Sequence, residues 1–462
     1  MSESRRSTGR RRSVLLSFGV ATVTALTALT AFTAQAAPAA TPGIAANPNA
    51  AAALATARAE VKAGTLLQTH GTLKACATGM VKLACLAEVA STGINSTKAL
   101  ATTTPIGYGA TDLSKAYNLT GGQAGTIAII DAGAYPNLES DLATYRAQYG
   151  LPACSTASGC LKIADLHGGP PLQPSSDFLD QYIEEQVAVE TALDVDMASA
   201  ACPGCKIIEL QLPDEDALVT GTNADAQTTD FGTAVNTAAS LGANAVSMSY
   251  QYPSDAFEET GTPGLDLFHP GMAVLASSGD GGYEGNVHNG WPNNLPWVTS
   301  VGGTSLYQSA DGKSFSQVAW AQAGSGCETD MPPAIGQPTS VSDYCGGHRA
   351  ASDISAVADL NTGVAVYDTY SPFSGQPYNW IVVGGTSVSS PFIAGVYARA
   401  GNLSQVIGPN TLYMDKESDF TDVTVGANTL PNSGTGPAQL YTAGKGWDGP
   451  TGLGTPKGLT GF

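Results

Sequence analysis

The chain has 462 residues, 43% of them hydrophobic and only 13% charged, with a formal net charge of -19. This is a globular composition with room for one large α/β domain or two average ones, and its negative balance argues against a nucleic-acid partner, because phosphates would be repelled rather than neutralised. Few charges with an excess of carboxylates suit work in acid, where protonation relieves the repulsion.

Arg5, Arg6, Arg10, Arg11 and Arg12 precede an apolar run from Val14 to Phe32, and Ala34-Gln35-Ala36 supplies the small residues of a cleavage site. Residues 1–36 are therefore expected to be a signal peptide that sends the protein out of the cell. Arg11-Arg12-Ser13-Val14-Leu15 also resembles a twin-arginine signal, so both export routes stay open. No later stretch is long and apolar enough to span a bilayer, and no membrane partner is expected once the signal is removed. The eight cysteines suit an oxidising destination and fall into close pairs: Cys76 with Cys85, Cys154 with Cys160, Cys202 with Cys205, and Cys327 with Cys345. Local bridges are the simplest pairing.

An Ala/Pro-rich linker to about Ala52 is followed by helical composition from Ala53 to Val89 and a Thr/Ser/Ala-rich tether from Ser91 to Pro105. Residues 37–105 read as an N-terminal extension or short propeptide, and 106–462 as the main domain. Thr111 to Leu119 reads as a short helix and Gly125 to Asp131 as a buried strand whose apolar run ends in a carboxylate. A helix follows from about Leu138 to Tyr149, then a long acidic helix from about Asp177 to Ala201. Strand Lys206 to Leu210, helix Phe231 to Leu241, strand Ala245 to Ser249, a helix before Pro270 and strand Met272 to Ser277 continue the alternation. Strands alternating with helices predict an α/β fold with a parallel sheet and helices on both faces, the ligand lying beyond the C-terminal strand ends.

In the long helix, Glu190-Thr191-Ala192-Leu193-Asp194 puts two carboxylates on one face. Asp180, Glu184, Glu185 and Asp196 nearby would fit a solvated acidic face, but Val187, Val189, Leu193, Val195 and Met197 make most of the circumference apolar. Two close carboxylates in a dry site cannot both ionise easily, and one becomes a base suited to acid. Asp280 stands among glycines after a strand, in Ser278-Gly279-Asp280-Gly281, a pattern that most often makes only a turn. In Gly384-Gly385-Thr386-Ser387-Val388-Ser389-Ser390-Pro391, two glycines turn the backbone and a hydroxyl opens an apolar helix. There, helix N–H groups can hold an oxyanion.

Together, E-x-x-x-D in a helix, S-G-D after a strand and G-T-S-x-S-x-P before a helix resemble, in order and spacing, the motifs of the sedolisin family (serine-carboxyl peptidases) over roughly residues 106–462. The resemblance implies a subtilisin-like fold and a serine endopeptidase acting on proteins or peptides. It makes Ser387 the nucleophile, Glu190 the base, Asp194 the carboxylate that orients Glu190, and Asp280 the acid that shares the oxyanion hole. Where a subtilisin would carry Asn, this chain carries Asp280, which donates a hydrogen bond only when protonated and so only at low pH. The rivals are a neutral subtilisin-like peptidase, for which His70-Gly71-Thr72 stands on the wrong side of the first core strand, and an inactive binding protein on a peptidase scaffold. Asp419 to Thr424 and Gly444 to Asp448 resemble the family's calcium site, with carboxylates from Asp422 and Asp448 and carbonyls from Val423, Gly444 and Gly446 around one Ca²⁺. Ser247-Met248-Ser249-Tyr250-Gln251 has no Gly where the family's substrate-lining strand turns, so its specificity is not carried over. A monomer is expected.

Overall fold

The computed structural model describes residues 72–74, 83–92, 99–219, 224–252, 262–284, 290–309, 311–414, 417–429 and 435–462. The expected signal peptide and most of the expected extension lie outside these residues.

Strands β1 (Thr72–Lys74) and β2 (Glu88–Ala90) come first, followed by helix α1 (Ala110–Ala116), β3 (Thr126–Ala132), α2 (Leu138–Gln148), β4 (Leu161–Asp165), α3 (Phe178–Ala201), β5 (Lys206–Leu212), α4 (Ala224–Ser240), β6 (Ala245–Met248) and β7 (Ala273–Ser277). The chain continues through β8 (Thr299–Gln308), β9 (Phe315–Ala319), β10 (Gly326–Glu328), β11 (Arg349–Ala351), β12 (Ile354–Val357), β13 (Val364–Asp368), β14 (Asn379–Gly384) and helix α5 (Thr386–Ala400).

The main sheet runs in the order β12-β8-β7-β6-β3-β5-β4, all neighbours parallel, with β9 added antiparallel to β8. The fold class is the expected parallel sheet with helices packed on it. The run Ile127-Ala128-Ile129-Ile130 is wholly buried because β3 is a central strand, covered on both faces. β3 lies between β5 and β6, so the strand order reverses there and opens a crevice at the C-terminal ends.

Asp177 caps α3, its carboxylate accepting from the N–H groups of Leu179 and Asp180 at 2.8 and 3.4 Å. From Val187 to Ala201 the helix is buried on every side, which explains why its carboxylates are dry. It packs along α5. The close approach needs a residue without a side chain: a Cβ on Gly395 would lie 2.6 Å from Cβ of Ala201.

One expectation needs correction. The stretch from Ala53 to Val89 reads as helical, yet its described parts are extended, with β1 and β2 in a separate antiparallel sheet of order β1-β2-β14-β13. Alanine, leucine and valine fit either state, and pairing of Val89 with Val383 and Glu88 with Gly384 decides it. The strand leading into Ser387 is β14, so the serine turn grows from this small sheet and not from the parallel one. Three expected disulfides are formed, Cys154–Cys160, Cys202–Cys205 and Cys327–Cys345. Cys85 is also disulfide-bonded, and its expected partner Cys76 lies outside the described residues. Among the described residues, no helix is long and apolar enough to cross a membrane.

Candidate active site

Glu190 and Asp194 lie one turn apart on α3, and both are fully buried. Glu190 Oε2 accepts from the backbone N–H groups of Leu86 at 3.0 Å and Ala87 at 2.7 Å. Ser387, the second residue of α5, turns its hydroxyl to Glu190 and favours the ionised carboxylate. The contact is looser than a fully formed hydrogen bond, as catalytic contacts often are before substrate tightens them. Ser249 Oγ donates to Asp194, 2.9 Å from Oδ1 and 2.8 Å from Oδ2.

Asp280 follows β7 and reaches the start of α5. Its Oδ1 accepts from both the backbone N–H and the hydroxyl of Thr386 at 2.8 Å, and Thr386 Oγ1 accepts from the Gly279 N–H at 3.1 Å. Gly385 has a φ of 109°, a conformation open to glycine. A Cβ there would lie 2.5 Å from the Leu86 carbonyl oxygen and 2.8 Å from Asp280 Oδ2. The two oxygens therefore converge on the same side of the Gly385 α-carbon. The four sequence-predicted residues Ser387, Glu190, Asp194 and Asp280 thus meet in one buried site built from α3, the β7 end and the α5 start.

Burial is the main force on the acids. It pushes the proton affinity of Glu190 well above the usual carboxylate range, and the charges of Asp131 and Asp280 add to it. Asp194 is raised likewise by burial, then by Asp131 and Glu190. Asp131, at the end of β3, is pushed up to about 7 by burial, tempered by a hydrogen bond with the Thr191 hydroxyl. Glu209 on β5, paired in register with Ile129, is raised by burial and by Asp131. No lysine, arginine or histidine is prominent among the groups acting on these four acids. The cluster therefore keeps protons at a pH where exposed carboxylates have lost theirs.

Asp131, marked in the sequence only as the carboxylate ending an apolar strand, acts on the pair through the repulsion of its charge. Ser249 and Thr386 were missed, since a serine in an apolar strand and a threonine before a serine are ordinary. Glu209 was also missed. Its signal was a lone carboxylate inside the run Ile207-Ile208-Glu209-Leu210, an expensive place for a charge.

No family model matches the chain. Kumamolisin of Bacillus sp. (strain MN-32) is 30% identical over 385 residues, covering 77% of this chain and 63% of kumamolisin. Sedolisin of Pseudomonas sp. (strain 101) is 30% identical over 211 residues, covering 40% and 33%. The solved structure of Pseudomonas sedolisin, a serine-carboxyl proteinase complexed with two molecules of pseudo-iodotyrostatin, superposes with a TM-score of 0.57. It is 23% identical, over 77% of this chain and 96% of that one. By sequence the chain is similar to members of the sedolisin family, and its fold is that of sedolisin. It spans less than two thirds of the length of these curated relatives.

The loops expected to bind calcium come together. Asp448 is fully buried; its Oδ1 accepts from Thr451 N–H and Oγ1 at 3.0 and 2.8 Å, and its Oδ2 from Gly444 N–H at 3.0 Å. Asp422 Oδ2 accepts from Gly446 N–H at 3.1 Å. Burial, with a contribution from Asp422, pushes Asp448 up to about 8. Among the described residues no cluster of three or more metal-ligating side chains occurs, which a site of two carboxylates completed by carbonyls does not require. Two neighbouring acids, one of them dry and with no prominent cationic neighbour, fit a hard cation.

Proposed function

We propose that this chain is an exported serine-carboxyl endopeptidase that hydrolyses protein or peptide substrates in acid. The observation carrying the reading is the convergence of Ser387 and Glu190 with Asp280 across the Gly385 turn, inside a cluster of buried carboxylates that raise one another's proton affinity, so that protons held by neighbouring acids leave Glu190 able to accept one. Ser387 Oγ attacks the scissile carbonyl while Glu190 takes its proton. Asp194, fixed by Ser249, holds Glu190 in place and limits its ionisation. Asp280, protonated, and the Ser387 N–H stabilise the oxyanion; the hydroxyl and N–H of Thr386 occupy Oδ1, so Oδ2 is the oxygen that carries the proton to the substrate. Glu190 then gives its proton to the leaving amine, and water resolves the acyl-enzyme by the same path in reverse. One Ca²⁺ held by Asp422, Asp448 and the carbonyls of Val423, Gly444 and Gly446 would brace the C-terminal loops. Residues 1–36 would serve as the signal peptide, and the extension after it as a pro-segment.

The deciding experiment is a pH profile of peptide hydrolysis by the purified exported protein. Activity is expected in acid, falling as pH rises through neutrality, and Ser387→Ala should lose about 10⁴-fold or more. A rate that peaks above pH 8, or survives Ser387→Ala, would sink the proposal. Gly385→Ala should lower kcat by at least about 100-fold, since its methyl would press on Asp280 Oδ2; an unchanged kcat in a folded variant would contradict this role. Chelation should lower Tm, with a loss of about 2.7 kcal/mol for a site previously held at a hundredfold excess of calcium over Kd. Calorimetry on Asp448→Asn, expected to melt low and to ignore chelator, checks the same site.

A further inference from the structure

Two edges beside the active site pair with extended peptide: Ala217–Leu218, after β5, and Tyr250–Gln251, after β6. Leu83 bridges Leu218 and Cys85 bridges Tyr250, both antiparallel. The Ala84 N–H donates to the Ala217 carbonyl at 2.8 Å, and the Ala84 carbonyl accepts from the Gln251 N–H at 3.0 Å. The same segment runs on to Glu190, which places both edges next to the reacting groups. A peptide held in this way is recognised through its backbone, so its binding depends on how firmly each edge is held.

The Ala217–Leu218 edge follows a single 3₁₀ turn, Asp214–Ala217, and is held from behind by α4. Gln227 Nε2 donates to the Leu218 carbonyl at 2.7 Å and lies 3.3 Å from those of Glu215 and Asp216. Three residues on, and so on the same face, Asp230 brings its carboxyl group into hydrogen-bonding contact with that of Asp216. Phe231 packs on Tyr250, Tyr252 and Trp291, with ring centroids 5.6, 5.8 and 5.5 Å away, and the Tyr252 hydroxyl donates to the Asp216 carbonyl. One helix thus braces both edges. Two carboxyl groups bond to each other only while they share a proton. Asp216 is buried, and burial, then Asp230, then Glu215 raise its proton affinity. Asp230 is raised by burial, against which its contact with Asp216 and the charge of His167 pull it down. Asp216 is therefore the member that keeps the proton. The other titratable groups facing the pair are Glu215 beside it, His167 from the β4–α3 connection and Tyr252 from the opposite edge.

We infer that Asp216, Asp230 and Gln227 are positioning residues for the substrate: they clasp the Ala217–Leu218 edge to α4 while the acid pair shares its proton, and the clasp loosens when that proton is lost. The inference rests on the peptidase reading and adds to it a second, separate dependence on acid. Glu190 and its neighbours govern the chemistry at Ser387, whereas the Asp216–Asp230 pair governs how tightly an extended peptide is held. Once both members are ionised they repel each other, and Gln227 alone is left to hold the edge.

The test is peptide kinetics on the full chain, with KM and kcat measured separately from about pH 4 to about pH 8. Asp230→Ala removes the pair at every pH and should raise KM about tenfold at about pH 4, the scale of a lost bond to a charged group, while kcat changes less than about twofold. Asp216→Asn keeps the bond with no proton to lose, because its amide donates to the Asp230 carboxylate. Its KM should stay level across the range, where that of wild type climbs. A readout free of catalysis comes from the Ser387→Ala chain, in which adding Asp230→Ala should speed hydrogen exchange at the Ala84 amide about tenfold at one fixed pH. A wild-type KM that is level with pH, an Asp216→Asn KM that climbs as wild type's does, or unchanged exchange at Ala84 in folded Asp230→Ala overturns the inference and leaves the peptidase reading standing. A folded wild type that hydrolyses no peptide between about pH 3 and 8, the range spanning carboxylate and imidazole titration, overturns both.

Discussion

Replacing Glu190 with Gln is expected to cut kcat/KM by about 10⁴-fold at every pH, the scale of losing a general base within a coupled catalytic unit. The amide carbonyl can still accept from the N–H groups of Leu86 and Ala87, so the site keeps its shape, but it cannot take the Ser387 proton. The same change should make the protein more stable at neutral pH. Burial raises Glu190 above the usual carboxylate range, so the unfolded chain releases this proton at a lower pH than the folded one, and wild type loses stability as pH rises. Gln carries no such penalty. Peptide kinetics and melts at pH 4 and 7 on the same preparation check both halves; a variant with wild-type kcat/KM would remove Glu190 from the mechanism.

The second large effect is on stability itself. Asp131 and Asp368 are fully buried and sit at about 7, against about 3.9 in an unfolded chain. Asp368 is raised chiefly by burial, with hydrogen bonds from Tyr370 N–H and Tyr135 partly offsetting it. For a carboxyl raised by folding, the stabilisation is complete below about pH 4 and is lost as pH climbs through the folded value near 7. Each such group costs about 1.4 kcal/mol per pH unit across that window. The Tm should therefore be highest near pH 4 and at least about 10 °C lower at pH 7, and Asp131→Asn and Asp368→Asn should each flatten the slope by about one proton. Calorimetry across the range decides it. A Tm that climbs from pH 4 to pH 7 would mean that these acids are not held protonated in the fold.

What could be read from the sequence was whatever local spacing encodes. The apolar run ending at Asp131 announced a buried strand, and the four-residue step from Glu190 to Asp194 announced two acids on one face. Small residues after β7 and before α5 marked Asp280 and Ser387 as turn residues. What stayed hidden depended on distant partners. Ser249 has a role because Asp194 happens to face it, and Glu209 joins the acid cluster because β5 lies next to β3. Leu83 to Val89 read as helix because their composition permits it, and only the place between Ala217 and Tyr250 and the open edge of β14 make them extended. The parallel sheet was legible from alternation, whereas the small antiparallel sheet was not, since its members are separated by almost the whole domain.

That separation matters while the protein is being made. Ser387 leaves the ribosome well after Glu190, Asp194 and Asp280, and β2 waits for β14 to join it. An unfinished chain holds the acids without the nucleophile, and a finished but unfolded one lacks the turn that aims it. The four residues thus come together only after β14 and the start of α5 have been made and folded, which holds the proposed chemistry back during synthesis.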